Sequence, residues 1–322
     1  MDSYIGYSTD PSIRFRATSG GVGSSYLKWL FDKGYIETSV SFEYNGDELM
    51  YEPKLIYSYD EYVPCGSIYH EIDLYGFVKK NLDAIKGGFA CFALPCQTKA
   101  IRNLVNKAGH YTQIIGLTCS SQQTLDATKY LLKRSGVSEQ DVKHLQYRGN
   151  GWPSGIQIEK NDGQKVFIPN NGSLWTQIFH SRLFVKPKCF KCQDTMNRFS
   201  DITLADPWLK EYVSVEKTGK SLVVENASGG GGISLLQQCH EDGYIILERI
   251  QHSKILESQI GTINRKKSYR NRSILSMDYY RFIHSKIYRK LVLTPFFFNL
   301  HCKLKARIER YLLTSLSSNN RQ

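Results

Sequence analysis

Residues 89–119 read FACFALPCQTKAIRNLVNKAGHYTQIIGLTC, and this stretch decides the fold. Phe89–Leu94 is a short, wholly apolar run of the kind found in buried parallel strands, and Ile114–Leu117 is a second one. Lys99–Ala108 lies between them with the apolar spacing of a helix, and Leu125–Lys133 predicts another helix. The order strand, helix, strand, helix predicts an α/β fold with a parallel sheet and right-handed crossovers.

Shorter elements flank this core on both sides. Apolar residues within 26–31 predict a helix, and Ile36–Tyr44 alternates in the manner of a strand. Further along, Ile156–Lys160 and Lys165–Ile168 flank an Asn-Asp-Gly turn and predict a hairpin. The later part of the chain therefore mixes short strands with helices.

The charge of the chain divides it unevenly. Residues 1–250 carry 27 basic and 27 acidic side chains, whereas residues 251–322 carry 15 basic and 3 acidic ones. The whole net charge of +12 thus lies at the C-terminal end. We expect an α/β half over residues 1–145, a smaller mixed α+β region over 146–250 and a basic helical tail over 251–322.

Composition excludes several classes of protein. With 41% hydrophobic and 22% charged residues among 322, the chain can form a core and is not disordered as a whole. No run approaches the roughly 18 apolar residues of a membrane span, and the N-terminus lacks the pattern of a signal peptide. We therefore expect a cytoplasmic protein whose eight cysteines act as metal ligands or redox groups rather than as disulfides.

Four cysteines have a context that suggests chemistry. Cys96 and Cys119 each follow one of the two predicted parallel strands, and ligands bind beyond the carboxyl ends of such strands. Cys189 and Cys192 form a C-x-x-C pair, a spacing typical of metal or redox sites. Four converging thiolates suit either a tetrahedral zinc ion or an iron–sulfur cluster. Alternatively, Cys96 and Cys119 are small buried hydrophobic residues.

Two turn-rich segments are candidates for a cofactor site. Ser19-Gly20-Gly21 precedes a predicted helix, where backbone N–H groups could meet a phosphate or an electron-rich ring. Tyr147–Pro153 combines the cation Arg148 with the flat ring of Trp152, which could stack against a planar cofactor while the cation meets an anion. Composition alone also allows each segment to be only a turn.

In this order, the pieces resemble the coenzyme F420 hydrogenase/dehydrogenase beta-subunit family over roughly residues 4–250. That family comprises flavin and iron–sulfur oxidoreductases, and its bacterial members frequently occur with polysaccharide genes. The motifs that carry the resemblance are Ser19-Gly20-Gly21, Gly66-Ser67-Ile68-Tyr69, Leu94-Pro95-Cys96-Gln97, Gly116-Leu117-Thr118-Cys119, Tyr147–Pro153, Cys189-x-x-Cys192-x-Asp194 and Asp201–Trp208.

The resemblance implies two cofactors. An FAD would be bound in the α/β half, and a [4Fe–4S] cluster close to it would be completed by the C-x-x-C loop of the second region. The implied cluster ligands are Cys96, Cys119, Cys189 and Cys192, which favours iron–sulfur over zinc. The residues expected to contact the flavin are Ser19, Gly20, Gly21, Gln97, Thr98, Arg148, Asn150 and Trp152.

The activity implied is that of a flavin-dependent iron–sulfur oxidoreductase, which passes electrons between a reduced carrier and a substrate, with a polysaccharide-related pathway as one setting. Many relatives begin with a ferredoxin-like module, but this chain has no cysteine before Cys65. We therefore expect a separate electron donor or acceptor protein. Ala205 stands where the founding members have Gly, an arrangement like that of bacterial relatives, which argues against deazaflavin itself as the substrate. The alternatives are a zinc-stabilised binding module and a degenerate member that acts as a scaffold.

The basic tail allows three interpretations. Residues 279–311 interleave aromatic and cationic residues around an apolar centre, which suits helices lying on anionic lipid at the inner face of the membrane. In that case the cofactor site is expected not to need the tail. Alternatively, the apolar centre packs on the globular body, or it binds a partner protein. No specific nucleic acid is expected, because a nucleic-acid tail has less need for Phe296-Phe297-Phe298.

Overall fold

The computed structural model describes residues 2–226, 234–271 and 273–319, without the side chains of 268–276 and 309–319. Its strands are β1 (Asp2–Ser8), β2 (Thr38–Asn45), β3 (Met50–Ile56), β4 (Phe89–Ala93), β5 (Thr112–Leu117), β6 (Val142–Gln146), β7 (Gly155–Lys160), β8 (Lys165–Pro169), β9 (Ile202–Ala205), β10 (Ser221–Glu225) and β11 (Ile245–Arg249). Its helices are α1 (Pro11–Arg16), α2 (Val22–Asp32), α3 (Leu74–Lys80), α4 (Pro95–Lys107), α5 (Asp126–Arg134), α6 (Leu174–Ser181), α7 (Pro187–Lys191), α8 (Lys210–Val213), α9 (Leu235–Glu241), α10 (His252–Asn271), α11 (Ser273–Ile283), α12 (Lys286–Val292) and α13 (Pro295–Asn319).

Eight strands form one mixed sheet in the order β11-β1-β10-β9-β5-β4-β2-β3. Its centre is parallel: β2 pairs with β4, β4 with β5 and β5 with β9, with Phe89 opposite Thr112 and Ile115 opposite Ile202. Antiparallel strands extend the sheet at both edges. A second, antiparallel sheet has the order β6-β7-β8 and contains the predicted hairpin. These features confirm the predicted α/β fold with its smaller mixed region and helical tail.

The start of α4 differs from the prediction. The helix begins at Pro95 rather than at Lys99, because proline suits the first helical position, where no N–H bond is lost. The Gln97 side chain then accepts a hydrogen bond from the Leu94 N–H (3.3 Å), which closes the helix end. Cys96 consequently lies in the first turn of a helix, not in a loop.

The sequence pattern predicts neither β1 nor β11. Both depend on long-range pairing, since β1 lies between β10 and β11, and β11 is an edge strand. At Gly6 a β-carbon would lie 2.3 Å from the Ile246 carbonyl oxygen, so only glycine permits this close pairing. The large sheet contains strands from both sides of residues 145/146, where the sequence analysis divides the chain. The division into domains stays a prediction.

The tail shares a hydrophobic core with the smaller sheet. Ile283, Val292 and Phe298 are buried in one cluster with Trp175, and the rings of Phe298 and Tyr130 lie 5.1 Å apart. Each such burial contributes roughly 1.5–3 kcal/mol. One side of the apolar centre therefore packs on the body, as the second interpretation predicts. In the part of the chain that the structure describes, no helix is long and apolar enough to cross a bilayer.

One buried amide holds the ends of the central strands together. The Nδ2 of Asn197 donates to the Ala93 carbonyl at the end of β4 (2.7 Å) and to the Leu117 carbonyl at the end of β5 (3.4 Å). Its Oδ1 accepts a hydrogen bond from the Thr98 hydroxyl in α4 (2.7 Å). Asn197 is fully buried and has a left-handed backbone (φ 52°). It therefore sets the spacing of the two strand ends.

We expect Asn197→Ala to destabilise the fold by about 2–4 kcal/mol, because it leaves buried carbonyls unpaired and places alanine at a positive φ. Asn150→Ala is the matched control, since Asn150 also has a positive φ (60°) but is exposed. That control reports the backbone effect together with one exposed hydrogen bond, to Gln157, and we expect it to cost about 1 kcal/mol. Urea unfolding measures both, and equal losses would contradict the role assigned to the Asn197 amide.

Candidate functional site

A cavity of about 960 Å³ lies at the carboxyl ends of the parallel strands. This volume is at the upper end of the range for cofactor and small-molecule sites. The start of α2, the ends of β4, β5 and β9, helix α6 and helix α10 all contribute to its wall. The lining residues discussed below are Ser19, Gly21, Ser24, Tyr62, His70, Phe92, Gln97, Cys119, Ser120, Ser121, Gln122, Arg148, Asp206, Trp208, Ser258, Gln259 and Arg265.

The Ser-Gly-Gly segment reaches the cavity in part. Ser19 and Gly21 line it, and Gly21 takes a positive φ (77°) as the residue before α2. The N-terminus of α2, with its free N–H groups and positive dipole end, therefore borders the cavity. Gly20 has a packing role instead: a β-carbon there would lie 2.5 Å from the Gly6 carbonyl oxygen.

The two flavin contacts predicted in α4, Gln97 and Thr98, have different surroundings. Gln97 lines the cavity, but its side chain already donates to the Ile72 carbonyl (3.0 Å) and accepts from the Leu94 N–H. Thr98 is fully buried on Asn197 and is not among the cavity-lining residues. Gln97 thus lines the cavity with a side chain that two hydrogen bonds hold in place. Thr98 instead supports Asn197 at the ends of β4 and β5.

Arg148 forms a buried ion pair in the cavity wall. Its two terminal nitrogens donate to the two oxygens of Asp206 (2.6 and 2.9 Å), and one also donates to the Thr18 carbonyl (3.0 Å). Burial opposes the charge of Arg148, but the adjacent Asp206 carboxylate keeps the pKa of the guanidinium above its ordinary value. Asp206 belongs to one of the sequence motifs, but it was not predicted as a site residue.

The other predicted members of that loop lie outside the cavity wall. Asn150 is exposed, and its amide donates to the Gln157 side chain (2.8 Å). Trp152 is buried and donates from its indole N–H to Asp206 (3.0 Å), while its ring packs 5.1 Å from that of Trp208. It is Trp208, not Trp152, that lines the cavity. Trp152 therefore positions Asp206 and Trp208.

His70 is a wall residue whose two ring nitrogens are both engaged. Nε2 accepts a hydrogen bond from the Tyr51 N–H (2.8 Å), and Nδ1 lies 3.1 Å from the Glu71 carbonyl oxygen. With these partners the His70 ring is neutral and carries its proton on Nδ1. Burial lowers the pKa of His70, which also favours the neutral ring. His70 consequently has no nitrogen available for acid–base chemistry.

Aromatic rings line the cavity close to the start of α2. The Tyr62 hydroxyl and the Ser24 hydroxyl are hydrogen-bonded (3.3 Å), and Tyr62 is stacked at 6.3 Å on Phe92 at the end of β4. Flat apolar faces of this kind suit a planar ring system. Neither Tyr62 nor Phe92 was recognised from sequence, because a single aromatic residue carries no local signal of a site.

The structure brings the four predicted thiols into one neighbourhood. The Cys119 N–H donates to the Thr195 carbonyl (3.0 Å), which ties the end of β5 to the segment after Cys192. The Gln122 N–H donates to the Cys189 sulfur (3.4 Å). Burial raises the pKa of the Cys119 thiol to about 12, and the nearby thiols of Cys189, Cys96 and Cys192 add to the rise.

Only Cys119 among these four lines the cavity. Within the described residues, no group of three or more His, Cys, Asp or Glu side chains is arranged to hold a metal ion. The four-cysteine ligand set therefore stays a prediction, which the shared neighbourhood of the thiols makes chemically reasonable.

Two buried cations belong to this part of the fold, one on the Cys192 sulfur and the other on Ser121, two residues after Cys119. Lys266 in α10 donates to the Cys192 sulfur (3.4 Å) and to the Asp194 carbonyl (2.6 Å). Arg182 is 1% exposed, and only its Nη1 has a hydrogen bond, to Ser121 (2.8 Å). Among the described residues, neither cation has a carboxylate partner. Because an uncompensated buried charge is unfavourable, this environment suits a negatively charged thiolate-bound group.

Helix α10 of the tail is a structural part of the site. The Ser258 hydroxyl donates to the Asp206 carbonyl (2.8 Å), and the Gln259 amide donates to the same oxygen (3.3 Å). Arg265 donates to the Ser120 hydroxyl. Helix α10 therefore closes one wall of the cavity, and the expectation that the site does not need the tail stays a prediction.

Two family models match the chain, and both describe the beta subunit of coenzyme F420 hydrogenase/dehydrogenase. The model of its N-terminal part covers residues 3–75, and the model of its C-terminal part covers residues 87–253. The chain belongs to this beta-subunit family. The family points to an oxidoreductase similar to the beta subunits of F420 hydrogenases and dehydrogenases.

A solved structure agrees with this assignment at the level of fold. A chain of the F420-reducing [NiFe] hydrogenase complex from Methanosarcina barkeri, in a study of xenon derivatization, has a TM-score of 0.61 and 14% identity. The match covers 83% of this chain and 90% of that chain. A comparison with curated protein sequences gives no match. The family-matched region of this beta-subunit-family member contains every predicted site residue, whereas Ser258, Gln259, Arg265 and Lys266 lie beyond it.

We expect Asp206→Ala to destabilise the fold by about 3–5 kcal/mol, because it leaves the buried guanidinium of Arg148 uncompensated. Replacing both partners, as in the double variant of Arg148→Met and Asp206→Ala, should recover much of that loss. Urea unfolding of the two single variants and the double variant gives the coupling energy. Lys54→Ala breaks an exposed ion pair and should leave the midpoint unchanged. Additive effects of the two single changes would contradict a coupled pair.

Proposed function

We propose that the protein is a flavin-dependent iron–sulfur oxidoreductase that passes electrons between a reduced carrier and a small substrate. The observation that carries this proposal is the position of Cys119, which belongs both to the wall of the large cavity and to the neighbourhood of four thiols. A ring system in the cavity would thus lie beside a thiolate-bound cluster. Family membership adds the redox class of the chemistry.

The flavin would be held at the start of α2 and against the aromatic wall. Ser19 and Gly21 border the α2 N-terminus, whose N–H groups and dipole favour an anionic group such as the diphosphate of FAD. Tyr62, Phe92 and Trp208 offer flat faces for its rings. When bound, the flavin would supply hydride or two-electron chemistry. The protein's own part is to orient it and exclude water.

The remaining predicted flavin contacts receive supporting roles in this proposal. Arg148 meets the cavity with a guanidinium already paired to Asp206, so it would shape the wall rather than neutralise a phosphate. Gly20 and Thr98 would keep the α2 and α4 starts in place. Trp152 would position Asp206 through its indole N–H. Asn150 would only stabilise its own loop, through its hydrogen bond to Gln157.

The cluster would be held by Cys96, Cys119, Cys189 and Cys192. Soft thiolate ligands suit iron–sulfur clusters, and such a cluster would supply one-electron transfer. Lys266, which donates to the Cys192 sulfur, is the cation that would offset its negative charge. Because the similar solved chain belongs to the F420-reducing [NiFe] hydrogenase complex, we propose that a separate protein delivers or removes electrons. A polysaccharide-related pathway is the setting that bacterial relatives suggest.

The deciding experiment is anaerobic purification followed by a visible spectrum and iron, zinc and flavin analysis. We expect resolved flavin bands with a broad brown shoulder, and iron close to four atoms per chain for a [4Fe–4S] cluster. Cys192→Ser should lose most of the iron, whereas Cys302→Ser, a tail cysteine outside the four-thiol neighbourhood, should keep it. A colourless protein containing zinc would overturn the proposal.

We also expect Lys266→Met to retain less iron than wild type, because its charge no longer offsets the thiolates. Lys305→Met is the matched control, since Lys305 is a buried tail lysine on α13 that adjoins Cys302 instead. Lys266→Arg keeps the charge and should preserve the iron. Iron per folded protein after gel filtration measures the effect. Equal iron loss in the Met variants of Lys266 and Lys305 would contradict a specific role for Lys266.

A further inference from the structure

Helix α13 carries an apolar stripe that the body of the protein does not cover. Phe296, Leu300, Leu304 and Ile308 recur at every fourth residue, and their exposed fractions are 73%, 42%, 48% and 58%. At four-residue spacing these side chains follow one side of a helix. We call them the α13 stripe. Contiguous exposed apolar surface of this kind marks an interaction site.

The helix cannot bury this stripe by turning over. Its other side holds Phe298, His301 and Lys305, which are all buried against the body. His301 is anchored further, because its Nε2 lies 2.9 Å from the Ser181 carbonyl oxygen and its Nδ1 lies 2.8 Å from the Tyr288 hydroxyl. The stripe is therefore presented outward by a helix that is fixed on its opposite side.

Cations accompany the stripe along its length. Lys303 and Arg307 are exposed and, at 100° per residue, lie on the same side of the helix as Phe296. Across residues 279–308 the sequence has seven Lys or Arg and no Asp or Glu. Helix α12 repeats the pattern with Ile287 (88% exposed) and Leu291 beside Lys286 and Lys290. The surface is thus apolar with a cationic margin.

We propose that the α13 stripe docks on an anionic membrane surface, with the helix lying in the plane of the interface. This inference does not depend on the proposed function. Apolar side chains flanked by Lys and Arg suit this location, because the long cationic side chains reach the headgroups while the apolar ones enter the acyl boundary. A second copy of the chain fits less well, since it would set like charges against each other across the contact.

The test is co-sedimentation of the full-length protein with phosphatidylcholine vesicles that contain or lack phosphatidylglycerol. We expect binding only to the phosphatidylglycerol vesicles, and weaker binding at high salt. The Phe296→Glu, Leu304→Glu double variant should lower the affinity at least tenfold. The matched control is the Phe167→Glu, Val215→Glu double variant, which makes the same charge change at exposed apolar residues outside the tail and should lower it far less.

Two further measurements separate the contribution of the cations to vesicle binding from self-association of the protein. Lys303→Gln with Arg307→Gln should weaken vesicle binding by about fivefold per cation removed. Analytical ultracentrifugation reports self-association of the same variants. Failure of the wild-type protein to bind phosphatidylglycerol vesicles at low salt would overturn the proposal. Equal losses of vesicle affinity in the two Glu double variants would also overturn it. The same holds if the wild-type protein binds no vesicles but forms a dimer that the stripe variant dissociates.

Discussion

Parallel pairing of β4, β5 and β9 is the constraint on which the rest of the structure depends. Parallel strands end at one edge of the sheet, so the chain segments that follow them are brought together there. The residues after these three strands include Cys96, Cys119 and Asp206. The Asn197 amide then fixes the spacing of the β4 and β5 ends. Sheet topology and one buried side chain thus create the cavity edge.

Buried charge explains much of how the wall of the cavity is built. Arg148 and Asp206 balance each other, and Trp152 completes the hydrogen bonding of the carboxylate. Arg182 and Lys266 are different, because among the described residues no carboxylate balances them. In a medium of low dielectric constant, such cations favour negative charge nearby. Of the two, Lys266 contacts the thiol neighbourhood directly, because it donates to the Cys192 sulfur.

The tail has two features that the sequence interpretations assigned to different alternatives, namely packing on the body and an exposed apolar side. Its inner side buries Phe298 and Val292, and α10 contributes a wall to the cavity. Its outer side still exposes the α13 stripe with cations beside it. A helix can do both because its side chains project in all directions around the axis. Packing on the body and docking on a surface are therefore compatible for one segment.

Local sequence patterns determined the central strands, the hairpin, the C-x-x-C pair and the separation of charge, because each depends on residues close together in the chain. Together with the family resemblance, they also named several wall residues, among them Ser19, Gly21, Gln97 and Cys119. Only the tertiary structure decided that Thr98 donates a hydrogen bond to Asn197, that Gly20 packs on β1 and that Lys266 donates to the Cys192 sulfur. The direction of a side chain and the partner of a strand depend on segments far away in sequence, and no local pattern records them.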